Sequence, residues 1–249
     1  MHINFIQNLI DKIRGKNGNL IFIDNEKARA NFVEQQLKQI PKGLKILDAG
    51  AGFQRYKKYC EHLKYESQDF CQYDGKGDGT AFHNGEWNVE NIDIVSDITS
   101  IPRDNETYDA ILCTEVLEHI INPMDAIKEF SRLLKINGKL ILTAPFCSLT
   151  HQSPYYFYNG YSIYWYKEVL SKYGFEIKVA EENGNYFDYF IQEINRFKTC
   201  QNKYCVKNIK YPKKEIKKIL NYLKQCSDNQ HNSEEFLCFG WHIVAIKKG

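Results

Sequence analysis

The chain of 249 residues reads as an α/β protein built on a doubly wound, mostly parallel sheet, and three observations carry that reading. First, Lys45 to Gln54 (Lys-Ile-Leu-Asp-Ala-Gly-Ala-Gly-Phe-Gln) is a short apolar run ending in an acid and two glycines spaced two apart, which is a strand entering a tight turn. Second, short apolar runs alternate with stretches of helical periodicity along most of the chain. Third, Tyr108 to Cys113 is nearly all apolar, as expected of a central strand covered on both faces.

Composition bounds the answer. A chain 43% apolar and 26% charged can bury one substantial core, so one domain over 1–249 is the default. A net charge of +2 is too small to argue for a nucleic-acid footprint. Eight cysteines are scattered, and Asp11 and Lys12 interrupt the apolar stretch near the start, so no secretory leader is read. They are expected to be reduced thiols of a cytoplasmic protein. Cys200 and Cys205 lack a second pair that would complete a zinc site. No apolar run reaches the length of a membrane span, and oligomeric state has no signature.

In chain order, Phe5, Ile6, Leu9, Ile10 and Ile13 recur at helical spacing and predict a cover helix. Glu26 to Ile40 predicts a second, with Ala28, Phe32, Val33 and Leu37 inward and Pro41 as its stop. Gly50 and Gly52 follow the first strand, and Arg55 to Leu63 is read as a helix start, which would aim free backbone N–H groups at a ligand above the strand end. Asp48, at that strand end, suits a ligand carrying an ammonium group and would repel a pyrophosphate. The dinucleotide fingerprint G-x-G-x-x-G would need glycine where Arg55 stands.

Tyr65 to Asp69 is a second strand with Asp69 at its end. The glycine-rich stretch Gln72 to Asn91 predicts a rim loop, with a hairpin at Asn84-Gly85 between Ala81-Phe82 and Trp87. Ile92 to Ile98 is a third strand. Asn122 and Pro123 start a helix carrying Ala126, Ile127, Phe130, Leu133 and Leu134 inward, and Asn137-Gly138 is read as its end. Lys139 to Ala144 makes a fifth strand. An aromatic segment follows, with Tyr155, Tyr156, Phe157, Tyr158, Tyr161, Tyr164 and Trp165 close together. Tyr166 to Tyr173 is a helix, Phe175 to Val179 a sixth strand, Asn185 to Lys198 and Lys213 to Cys226 amphipathic helices, and Phe236 to Ile246 a seventh strand. The lysine-rich outer face of the last helix is read as solvated.

The Lys45 to Gln54 stretch resembles the glycine-rich first motif of class I S-adenosylmethionine-dependent methyltransferases, and Asp93 to Pro145 resembles the latter half of their Rossmann-like domain. The sequence departs from the first motif at Gln54, where a third glycine is usual. The resemblance implies a seven-stranded sheet whose last strand is antiparallel beside the sixth. It divides the domain into cover helices (1–41), a cofactor-binding core (42–184) and C-terminal helices with the last strand (185–249). S-adenosyl-L-methionine is then the cofactor, bound at Asp48, Gly50, Gly52, Asp69, Asp97, Ile98 and Thr114. Asp69 would take the ribose hydroxyls, and Asp97 with Ile98 the adenine edge.

The implied reaction is methyl transfer to a hydroxyl or amine of a small-molecule or glycan-type acceptor. Positioning supplies most of the rate, because the methyl is already activated on sulfur. Glu115, His119 and His151 are the candidates for acceptor contact and base work, and Tyr155, Tyr158 and Tyr161 for the acceptor wall. Glu115, Glu118 and His119 stand in a Glu-x-x-Glu-His pattern similar to that of metal-dependent members of the family; if the segment is helical they share one face, and with His151 they would hold a divalent metal. Two alternatives stay open: a metal-dependent RNA 2′-O-methyltransferase, and a non-catalytic module that binds S-adenosylmethionine, for which Gln54 speaks.

Overall fold

The computed structural model describes residues 21, 23–78 and 87–249. The helix expected over Phe5 to Ile13 and the tip of the hairpin expected before Trp87 lie outside the described residues. Seven strands form one sheet: β1 (Lys45–Ala49), β2 (Lys64–Asp69), β3 (Ile94–Val95), β4 (Tyr108–Thr114), β5 (Leu134–Pro145), β6 (Phe175–Asn183) and β7 (Gly240–Lys247). Their order is β3-β2-β1-β4-β5-β7-β6. The first five run parallel, and β7 lies antiparallel to β5. This is the doubly wound sheet with an antiparallel last strand that the sequence predicts, and the chain reverses order on either side of β1 and β4. Ligands of such sheets bind outside the strand ends at that switch point.

Among the described residues five α-helices accompany the strands: α1 (Asn25–Lys38), α2 (Pro123–Leu133), α3 (Ile163–Lys172), α4 (Tyr186–Tyr204) and α5 (Lys213–Asn229). α1 buries Phe32, Val33 and Leu37 in a cluster with Ile46, Ala110, Leu112, Ile141 and Val244, side chains from four neighbouring strands. α2 buries Ala126, Ile127, Phe130 and Leu133, the three-and-four spacing read from sequence.

The described residues form two compact units, one drawn from 26–78, 87–181 and 240–249, and the other from 21, 23–25 and 182–239. The first carries nearly all of the sheet. In the second, Ile191 and Ile194 of α4 pack with Ile216 and Leu220 of α5 and with Ile21 and Ile23. Asn185 caps α4 by accepting hydrogen bonds from the N–H groups of Phe187 (3.0 Å) and Asp188 (3.1 Å).

Four local expectations are corrected. Arg55 to Leu63 makes turns and a single 3-10 turn, Lys57–Tyr59, instead of a helix. The third strand is two residues long, Ile94–Val95, since Ser96 and Asp97 turn toward Thr99. Asn122 sits at the N-cap of α2, but its side chain makes no capping bond. α2 ends at Leu133, and β5 begins at once; Asn137, with φ of 63°, marks an irregularity inside the strand instead of the helix end.

Candidate active site

The turn after β1 is built by β2. Gly50 N–H donates to the Gln68 carbonyl (2.9 Å), Ala51 N–H to the same oxygen (2.9 Å), and Gly52 N–H to Asp69 Oδ2 (2.9 Å). Gly50 and Gly52 have φ of 74° and 50°, the left-handed region that glycine enters without cost. A Cβ on Gly50 would stand 2.5 Å from Val116, and one on Gly52 would stand 2.9 Å from the Trp87 ring. The expectation of free N–H groups aimed outward is therefore overturned, because the turn folds back on β2 and no α-helix begins after it. A pyrophosphate needs such donors. The turn offers carboxylates instead.

Gln54 has φ of 56°, so it takes the left-handed backbone a glycine would take there. That conformation costs roughly 1 kcal/mol for a residue with a Cβ. Its amide offsets the cost by bonding the Asn91 carbonyl and accepting from Lys57 Nζ (2.8 Å). The departure from the glycine pattern is thus chemical and leaves the path of the turn unchanged.

Asp48 is buried at the end of β1 and accepts a hydrogen bond from Tyr65 Oη (2.7 Å). Burial pushes its carboxyl up to about 7; the Tyr65 bond works against that, and the charge of Asp69 adds to it. Asp69 is also buried, and its second oxygen accepts from Cys71 N–H (2.8 Å). Asp97 is exposed, its Oδ1 accepting from Thr99 N–H (2.8 Å) and Thr99 Oγ1 (2.7 Å), while Ile98 is buried beside it. Thr114 closes β4 opposite Thr143 of β5.

The turn after β4 differs from the helix expected there. Glu115 has φ of 54° and Leu117–His119 is a 3-10 turn, so helical offsets do not apply. Glu115 and Glu118 consequently face different partners. The Glu115 carboxylate accepts from Arg29 (3.1 Å) and Thr143 Oγ1 (2.9 Å). Glu118 is fully buried, and neither carboxylate oxygen has a hydrogen-bond partner among the described residues. Burial first, and the charge of Glu115 second, push its carboxyl well above the usual carboxylate range.

His119 Nε2 lies 3.7 Å and His151 Nε2 3.9 Å from Glu118 Oε1. The other ring nitrogen of each histidine meets a backbone carbonyl, Tyr155 for His119 and Leu149 (2.9 Å) for His151. A carbonyl can only accept, so each Nδ1 carries a proton and each Nε2 is turned toward Glu118. Burial, and secondarily the charge of His151, bring His119 down to about 4 against the Tyr155 bond, so this ring is neutral at pH 7. Ligand atoms of Glu118, His119 and His151 lie within 4.8 Å of one another. Glu115 is not in this group, which corrects the four-residue metal set of the sequence reading.

The aromatic segment wraps this centre. Phe157 N–H (2.9 Å) and Tyr158 N–H (3.2 Å) both donate to the Glu118 carbonyl. Tyr155 packs edge-on against Phe70 at 5.0 Å, and Tyr158 Oη donates to the Ile121 carbonyl (2.8 Å). Tyr161 is buried with its hydroxyl on the Leu117 carbonyl (2.7 Å), a tie beneath the turn. Tyr156, of the same aromatic segment, has its ring 5.0 Å from that of His151, and sequence reasoning missed Arg29, which holds Glu115. Arg29 was findable: it precedes Phe32 by three and Val33 by four, a cation on the apolar stripe of α1.

A carboxylate-ended first strand, a glycine turn pinned to β2 and a polar centre at the switch point are what the resemblance to class I methyltransferases predicts. Residues 47–142 match the family model described as a methyltransferase domain. An uncharacterised protein of Methanocaldococcus jannaschii is 43% identical over 49 residues, 20% of this chain and 21% of that one, so the match spans about a fifth of the curated relative. Solved structures similar to the chain include an S-adenosylmethionine-dependent methyltransferase from Archaeoglobus fulgidus (TM-score 0.52, 15% identity, 98% of this chain and all of that one). The YcgJ protein of Bacillus subtilis is another (TM-score 0.52, 12% identity, 90% and 99%). So is the [4+2]-cyclase SpnF (TM-score 0.55, 14% identity, 94% and 85%). At such identities these likenesses establish the fold alone. Among the described residues no helix is long and apolar enough to cross a membrane.

Proposed function

We propose that the chain transfers the methyl group of S-adenosylmethionine to a hydroxyl or amine of a small-molecule or glycan-type acceptor. The observation that carries this reading is the buried Glu118 carboxyl facing two imidazole Nε2 atoms beside the strand ends, with the aromatic segment tied to the same residue. In this reading Asp48 meets the ammonium of the cofactor and Asp69 its ribose, while Gly50 and Gly52 shape the turn beneath it. Asp97, Ile98 and Thr114 border the adenine and methyl-donor ends. Glu115, fixed by Arg29 and Thr143, contacts the acceptor; His119 or His151 takes its proton; Tyr155 and Tyr158 wall it. None of the eight cysteines is in a disulfide, which supports a reducing, cytoplasmic setting.

A second reading has its own support, a divalent cation held by Glu118, His119 and His151. A carboxyl and two imidazoles converge there, and metal-bound histidines commonly anchor their other nitrogen on a carbonyl, as both do here. The donor set fits such an ion, which when bound would orient an acceptor oxygen and lower its pKa. Isothermal titration with S-adenosylmethionine tests the first reading; absence of binding sinks it. Titration of Mn²⁺ into chelator-treated protein and into Glu118→Gln tests the second, with binding expected only in the parent.

A further inference from the structure

The charge of the chain is unevenly placed. Residues 196–218 contain nine basic residues and one acid, Glu215, a net of +8 in a chain whose total is +2, so everything outside the stretch sums to −6. The stretch covers the end of α4, the connection 205–212 and the start of α5. All eight of its lysines (198, 203, 207, 210, 213, 214, 217 and 218) are exposed.

Large apolar side chains stand exposed among these lysines. Val206 is 102% exposed and Ile209 57%, both in the connection, and Phe197 (52%) and Tyr204 (60%) lie seven residues apart on one face of α4. A solvated lysine face has no use for a fully exposed valine at the tip of a helix-to-helix turn. Basic side chains around protruding aliphatic ones match the bilayer interface, where ammonium groups sit at the phosphates while apolar side chains enter the acyl boundary. Single-stranded nucleic acid would also meet the charge, but it is held by aromatic rings on which bases stack, and the two most exposed apolar residues of the connection, Val206 and Ile209, are aliphatic.

We propose that the 196–218 surface docks the protein on an anionic lipid bilayer, with Val206 and Ile209 inserted and Lys207, Lys210, Lys213 and Lys214 at the headgroups. This goes beyond methyl transfer and involves none of its residues, so its failure leaves that reading intact.

The test is co-sedimentation of the full chain with vesicles of phosphatidylcholine alone and of phosphatidylcholine with about a third phosphatidylglycerol, at low and physiological salt. Binding at least tenfold tighter to the anionic vesicles, falling as salt rises, is expected. Each lysine near the surface contributes roughly fivefold, so reversing Lys207, Lys210, Lys213 and Lys214 to Glu should cost more than about a hundredfold. Val206→Asp with Ile209→Asp should remove the part of binding that survives salt. Circular dichroism checks that the variants fold, and the salt dependence of the parent decides the matter if they do not. Equal binding to both vesicles, no binding, or unchanged binding of the four-lysine variant would overturn the proposal. So would tight binding to polyuridylate without vesicle binding, which would give the surface to RNA.

Discussion

The turns after β1 and β4 occupy equivalent places on neighbouring parallel strands, and each opens with a left-handed residue, Gly50 and Glu115. The first is saturated: every N–H from Gly50 to Gly52 ends on β2, and both Asp69 oxygens accept from backbone. The second is left open, with two carboxylate oxygens of Glu118 and His119 Nε2 buried and without hydrogen-bond partners among the described residues. Buried polar groups are nearly always paired in folded proteins. A saturated turn holds its shape whether or not a ligand comes, whereas an unsaturated one stores a cost that a ligand relieves.

Four measurements can break or sharpen that contrast. Gly50→Val forces a Cβ into Val116 at a left-handed φ, and should cost more than about 3 kcal/mol in denaturant unfolding together with cofactor binding. Native-like stability would show that the turn is looser than described. Glu118→Leu removes a buried acid that has no partner, so the protein prepared without metal should gain about 1–3 kcal/mol while losing activity. A comparable loss of stability would mean that the carboxyl is paired after all.

Asp69→Ala should do the opposite at the saturated turn. It strands the N–H groups of Gly52 and Cys71 and costs about 1–3 kcal/mol of stability, along with cofactor affinity, by melting and calorimetry. The smallest effect concerns pH. Asp48 titrates near 7 in the free protein, raised above its unfolded value, so near pH 7 it is part protonated. If the ammonium of the cofactor requires the carboxylate, affinity should fall by up to about tenfold for each unit of pH below 7 and level off above it. Asp48→Asn should bind weakly at every pH, and a parent with flat affinity from pH 5 to 8 would remove the ammonium role.

The same contrast explains what the sequence could disclose. The first turn is a local matter of an apolar run, an acid and two glycines, so its position and its ligand charge were legible in ten residues. The direction of its N–H groups depended on Gln68 and Asp69, a strand away. At the second turn the residue types were legible, but their grouping was inferred from helical spacing, which a left-handed Glu115 cancels. Arg29 then draws Glu115 aside and leaves Glu118 with the histidines. The boundary of α2 failed for a related reason: Asn137-Gly138 looks like a helix stop, yet β5 takes the chain from Leu134 onward through pairing with Tyr108.

Glu118 is fastened at both ends, its side chain in the polar centre and its carbonyl beneath the N–H groups of Phe157 and Tyr158. Whatever quiets the carboxyl also steadies the carbonyl, and the two amides resting on it become a gauge of an event they never touch. Hydrogen exchange at Phe157 and Tyr158 would therefore slow when the centre fills, before any acceptor arrives and without any chemistry. The aromatic wall, on this view, is set by the state of the floor.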